Sequence, residues 1–109
     1  RGAAVSGVGA MRVLARIERP VQSETPHGGR TVSYDHLGMA WLACGARRRR
    51  ERSEGGQATR GVETMSATCR ADARIAEGRV LRFGGAHWTI RGVDADGPGR
   101  MKLTLERVR

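Results

Sequence analysis

Apolar and polar positions alternate most clearly in the C-terminal third of this 109-residue chain. Phe83 leads into Gly84-Gly85, after which Ala86, Trp88 and Ile90 alternate with His87, Thr89 and Arg91. The chain breaks at Asp94-Ala95-Asp96-Gly97-Pro98-Gly99 and returns with Met101, Leu103 and Leu105 alternating against Lys102, Thr104 and Glu106. A period of two, bounded by Gly-Gly and Asp-Gly-Pro-Gly, predicts two successive β-hairpins. Upstream, Val13, Ala15 and Ile17 alternate with Leu14, Arg16 and Glu18 and predict a first strand that ends at Arg19-Pro20. Residues 22–30 carry Ser23, Thr25, Pro26, Gly28 and Gly29, which is loop chemistry. Residues 31–34 and 39–44 read as short strands joined by a turn or bulge at Asp35-His36-Leu37-Gly38. Regularity resumes at Val62, where Met65, Ala67 and Cys69 alternate with Thr64, Ser66, Thr68 and Arg70. Residues 72–77 predict a single helical turn closed by Gly78.

These elements predict an all-β protein, a small antiparallel β-barrel or sandwich of six or seven short strands with one long basic loop. Residues 1–10 read as a flexible N-terminal extension, and 11–109 as a single barrel domain with the arginine-rich loop 45–61 inserted. Trp41, Trp88, Ile90, Leu103 and Leu105 are the expected core, each in phase with apolar neighbours. The alternative for the tryptophans, a stacking platform for single-stranded nucleic acid, competes with that packing role.

Charge changes the picture most in the middle of the chain. All but one of the 20 basic residues are arginine, Lys102 being the exception, and the formal net charge is +9. The loop 45–61 holds Arg47, Arg48, Arg49, Arg50, Arg52 and Arg60 against Glu51 and Glu54, so it carries +4 of that charge, with Gly55 and Gly56 as its hinge. It has almost nothing to bury and reads as solvated or ordered by a partner. Codon bias in a GC-rich genome would also enrich arginine, glycine and alanine. Positive charge favours nucleic acid or an acidic protein surface, and is silent on fold.

Chemistry is sparse elsewhere. Cys44 and Cys69 form no CxxC, and read as two buried free thiols, with a disulfide left open. His27, His36 and His87 fall in separate segments without ligand spacing, so neither metal nor cofactor is expected. Asp94 and Asp96 sit in a turn, where side-chain-to-backbone bonds account for them. No nucleophile–base constellation and no phosphate-cradling glycine loop can be assembled, which points away from an enzyme. No run of 18 apolar residues exists, so no membrane span is expected, and residues 1–10 lack the apolar stretch of a signal peptide.

The order of motifs resembles that of the phage head–tail joining, or head-closure, family of small β-barrel connectors. The points of contact run in sequence: Leu14-Ala15-Arg16-Ile17, the Gly28-Gly29 loop, Trp41 with Ala43, a polar insertion, and a strand ending at Cys69-Arg70. They continue with Ile75, with Arg82-Phe83-Gly84-Gly85-Ala86-His87-Trp88-Thr89-Ile90, and with a closing Leu103-Thr104-Leu105-Glu106-Arg107 strand. The resemblance spans about residues 11 to 108. It implies a homo-oligomeric ring, hexameric or dodecameric, in the virion of a tailed phage or gene transfer agent, assembled in the bacterial cytoplasm. Portal and adaptor proteins would lie above it, tail terminator or tail proteins below, and packaged double-stranded DNA in its channel. It would retain DNA and carry the tail, as stopper, adaptor or tail-completion protein. The basic loop is the positional counterpart of the family's channel plug, and could meet DNA, an acidic neighbouring ring or solvent. The competing reading is a monomeric nucleic-acid-binding β-barrel that clamps its ligand with the same arginines.

Overall fold

Every regular element in the computed structural model, which describes residues 11–52 and 60–108, is a β-strand. The strands are β1 (Met11–Glu24), β2 (Arg30–Arg52), β3 (Arg60–Arg70), β4 (Val80–Phe83), β5 (Ala86–Ala95) and β6 (Arg100–Val108). All neighbours pair antiparallel in the order β1-β2-β3-β6-β5-β4, and β4 returns to β1 to close a barrel. Where β4 meets β1 at Arg16–Glu18, closure removes the edge that an open sheet would expose.

Alternation along each strand builds the interior. Ala15 and Ile17, Leu42 and Cys44, Met65, Ala67 and Cys69, Leu81 and Phe83, Trp88 and Ile90, and Leu103 and Leu105 form one buried cluster, completed by Ile75. Trp88 lies parallel to Phe83, with ring centroids 6.0 Å apart at 11°. Trp88, Ile90, Leu103 and Leu105 thus sit where the alternation placed them. Trp41 does not: it is 57% exposed. β2 is apolar in both phases, and the register decides between them. Leu42 opposes Val13 and fills the inner row, while Trp41 opposes Leu14 on the outside.

Three register shifts shape the strands. The pairs Ile17 with Gly38 and Glu18 with His36 leave Leu37 as an extra residue, so residues 35–38 are a bulge within β2. Gly38 has φ +149°, and a Cβ there would lie 1.9 Å from Arg74 Nη1, which donates to the Leu37 carbonyl at 3.3 Å. Gly84 and Gly85 both have positive φ, +60° and +74°, and make the two-residue turn between β4 and β5.

The strands run longer than the sequence pattern suggests. The loop expected over 22–30 shrinks to 25–29, because Gln22, Ser23 and Glu24 pair with Val32, Thr31 and Arg30. The basic segment 45–61 is not one long loop: β2 continues through Arg52 and β3 begins at Arg60. Backbone pairing needs no apolar side chain, and a hairpin that outruns the core has no inner face to fill, so hydrophobic alternation cannot reveal it. The helical turn expected over 72–77 is replaced by tight turns, Ile75 N donating to the Asp72 carbonyl at 3.0 Å and Arg79 N to the Ala76 carbonyl at 3.1 Å. These turns deliver Ile75 to the core. The expected extension 1–10 lies outside the described residues, as do Gly55 and Gly56.

Candidate interaction site

Two surfaces carry chemistry, and both are built on β2. The first is the β2–β3 hairpin. The bulge between Cys44 and Arg47 shifts the register, so that Arg47 opposes Met65 and Arg49 opposes Glu63, continuing the inner row. Arg47 and Arg107 both project over Trp88, with guanidinium carbons 5.6 and 5.1 Å from its ring centroid. That is cation–π distance, over a ring that is itself 1% exposed.

Glu63 anchors this end of the barrel at 1% exposure. Arg107 Nε donates to Glu63 Oε1 at 2.6 Å, and Arg49 Nε donates to Oε2 at 3.3 Å. The Arg107 hydrogen bond, opposed by burial and reinforced by both positive charges, holds the Glu63 carboxyl below the ordinary carboxylate range. Among the arginines whose side chains are described, Arg47 thus meets Trp88 and Arg49 meets Glu63. Arg48 lies on the opposite face beside Thr64, and all three of Arg47, Arg48 and Arg49 are exposed. Arg50 pairs through its backbone with Val62, and Arg52 with Arg60.

The second surface is the outer face of the β1–β2 hairpin. Six large hydrophobic residues are exposed among the described residues, and five of them lie here: Leu14, Val32, Tyr34, Met39 and Trp41. An open groove of about 640 Å³ runs past Met39 and Trp41, bordered by Arg12, Arg70 and Arg100. Arg12 lies over the Trp41 ring at 5.9 Å. Further along, Tyr34 meets His87 at 4.8 Å between ring centroids. Glu18, 2% exposed, is enclosed nearby by Arg16, Arg82 and His87 at 3.6, 3.8 and 3.9 Å. Those distances are ion-pair range but too long for hydrogen bonds, and Glu18 Oε1 has no hydrogen-bond partner.

Sequence reasoning missed the carboxylates that are buried among the described residues, Glu18, Glu63 and Glu106. For Glu63 a signal existed, since it is in phase with the inward Met65, Ala67 and Cys69. Glu106 faces Arg91 Nε at 3.2 Å across the β5–β6 pair, a contact visible only once the Ile90/Gly92 register shift is known. Both cysteines are free and buried, and burial raises both thiols above their ordinary pKa. Among the described residues no cluster of His, Cys, Asp and Glu could hold a metal ion.

A chain from a solved structure titled "Virion of native gene transfer agent (GTA) particle" superposes with a TM-score of 0.68 at 21% identity. The match covers 89% of this chain and 94% of that one, and speaks for a shared fold. No curated protein matches. The family model for "Phage head completion protein" matches residues 7–107. The match runs over nearly the whole chain, from before β1 to the penultimate residue of β6 and across both surfaces, and the chain therefore belongs to the phage head completion protein family.

Proposed function

We propose that this protein is a structural subunit of a ring that closes the DNA-filled head beneath the portal, retains the packaged DNA and gives the tail its platform. The observation that carries the reading is the family match over residues 7–107. Head completion is a structural role, and it makes the protein a component of the virion particle. Two features of the fold suit it. A closed barrel is a stiff body, and the longer β1–β2 and β2–β3 hairpins extend from it toward neighbours. Its 23-residue strand β2 ends in a hairpin turn at 25–29 on one side and in the arginine-bearing hairpin on the other, so one molecule can reach two neighbours.

In this reading the β2–β3 hairpin points to the channel and meets DNA phosphates without reading sequence, an electrostatic contact that weakens with salt. Copies around an axis would concentrate like charge, which DNA or an acidic ring would neutralise. Glu63 and Trp88 hold Arg47 and Arg49 in place at the root of that hairpin.

Electron microscopy of particles from cells lacking the gene tests the proposal. Heads and tails accumulating separately, with heads empty or leaking DNA, is the expected result. Normal tailed particles would refute it.

A further inference from the structure

We infer that the outer face of the β1–β2 hairpin is the seat for an acidic, apolar-bearing segment of a different protein of the particle, laid along the groove beside Trp41. The inference rests on the head-closure reading and adds a partner chemistry and a place to it. Trp41 is 57% exposed, Leu14 46% and Met39 42%, and register puts them together. Isolated exposed apolar residues are ordinary, but a contiguous group rimmed by charge marks an interface.

The rim states what the partner must carry. Arg12, Arg70 and Arg100 border the groove, and none has a carboxylate partner among the described residues. Lys102 follows on the same outward row, opposite Thr68. The one acid on the groove, Asp72, is held by Arg74, whose Nη2 donates to it at 2.6 Å. A partner segment with Asp or Glu flanking apolar side chains would complement the face in both respects.

Other occupants fit less well. A second copy docking through the same face would set Arg12, Arg70 and Arg100 against their own counterparts. A second copy docking through another described face would have little apolar surface to offer, since among the described residues the remaining exposed large hydrophobic, Val108, lies on β6 away from this group. Nucleic acid would match Trp41 by stacking and the arginines by its phosphates, so the apolar pair decides. Leu14 and Met39 answer to neither base nor phosphate.

The test uses heads isolated from cells lacking the gene, with the purified full chain added back and its cosedimentation with heads measured. Trp41→Ser and the double variant Arg70→Glu/Arg100→Glu are compared with wild type. Self-association by sedimentation velocity, retention on duplex and poly-dT DNA, and thermal melting are followed in parallel. The expected result is head binding weakened at least about tenfold in both variants, as for a central aromatic anchor and its charged rim, with the other readouts unchanged. If Trp41→Ser melts early, the charge-reversal variant carries the test, because its substitutions lie on the exposed rim. Wild-type head binding by both variants would overturn the inference. So would loss of self-association or of DNA retention in place of head binding, assigning the face to a subunit contact or to nucleic acid. Failure of the wild-type protein to bind heads would instead remove the head-closure reading beneath it.

Discussion

The two tryptophans provide a sharp internal contrast. Trp88 is 1% exposed, stacks on Phe83 and lies under the Arg47 and Arg107 guanidinium groups, whereas Trp41 is 57% exposed. Trp88→Ala removes a buried indole, and the barrel wall around it cannot collapse without breaking strand pairing. The transfer and cavity costs of such a truncation are about 3–5 kcal/mol. For a chain of this size that loss corresponds to a fall of on the order of 10–30 °C in Tm. Trp41→Ala removes an outward side chain, and an exposed substitution of that kind changes stability by only about 0.5 kcal/mol in either direction. Urea unfolding of the purified chain, followed by far-ultraviolet circular dichroism, measures both. A Trp88→Ala loss below about 1 kcal/mol, or a Trp41→Ala loss approaching it, would refute the assignment of inner and outer rows on β2 and β5.

The Glu63 carboxyl, held low by Arg107 and Arg49, predicts an acid-sensitive contribution. Its proton leaves more readily in the folded than in the unfolded chain, so the contribution is complete above the unfolded value near 4.5 and disappears as pH falls through the lower folded value. The Tm difference between wild type and Glu63→Gln should therefore shrink on acidification below that point, and a pH-independent difference would contradict the pairing. Gly85→Val forces a β-branched side chain into φ +74° and should cost about 1–2 kcal/mol, measured by urea unfolding. In DNA retention against salt, Arg48→Ser should lower the slope by about 0.9 if that arginine meets one phosphate. Arg49→Ser should lower Tm as well, because Glu63 loses a donor. The thiols of Cys44 and Cys69 should react with a disulfide reagent only after unfolding, and rapid native-state labelling would contradict their burial.

What could be read from the chain, and what could not, follows from where apolar alternation has a core to report on. β4, β5 and β6 pack one face on the interior, and Phe83, Trp88, Ile90, Leu103 and Leu105 announce them. In β2 the signal fails twice, for opposite reasons. Around Trp41 both faces are apolar, Met39, Trp41 and Ala43 on one side and Ala40, Leu42 and Cys44 on the other, so alternation cannot choose between them. Only the pairing of Leu42 with Val13 does. Beyond Cys44 neither face is apolar, and strand pairing carried by arginine and glutamate looks like a solvated loop. The surfaces were half legible for the same reason. The density of arginine is plain in the sequence, but a register shift at Gly45-Ala46 decides that Arg47 and Arg49, though exposed, fall on the face of Trp88 and Glu63. The docking face around Trp41 was hidden by the assumption that a tryptophan among apolar neighbours is core.

The most direct test of the central claim is cryo-electron microscopy of intact particles at a resolution that traces strands. The expected density is a ring of six-stranded barrels between portal and tail, each with its β2–β3 hairpin toward the channel axis and its Trp41 face against another protein. Particles whose neck holds no such barrel would contradict it.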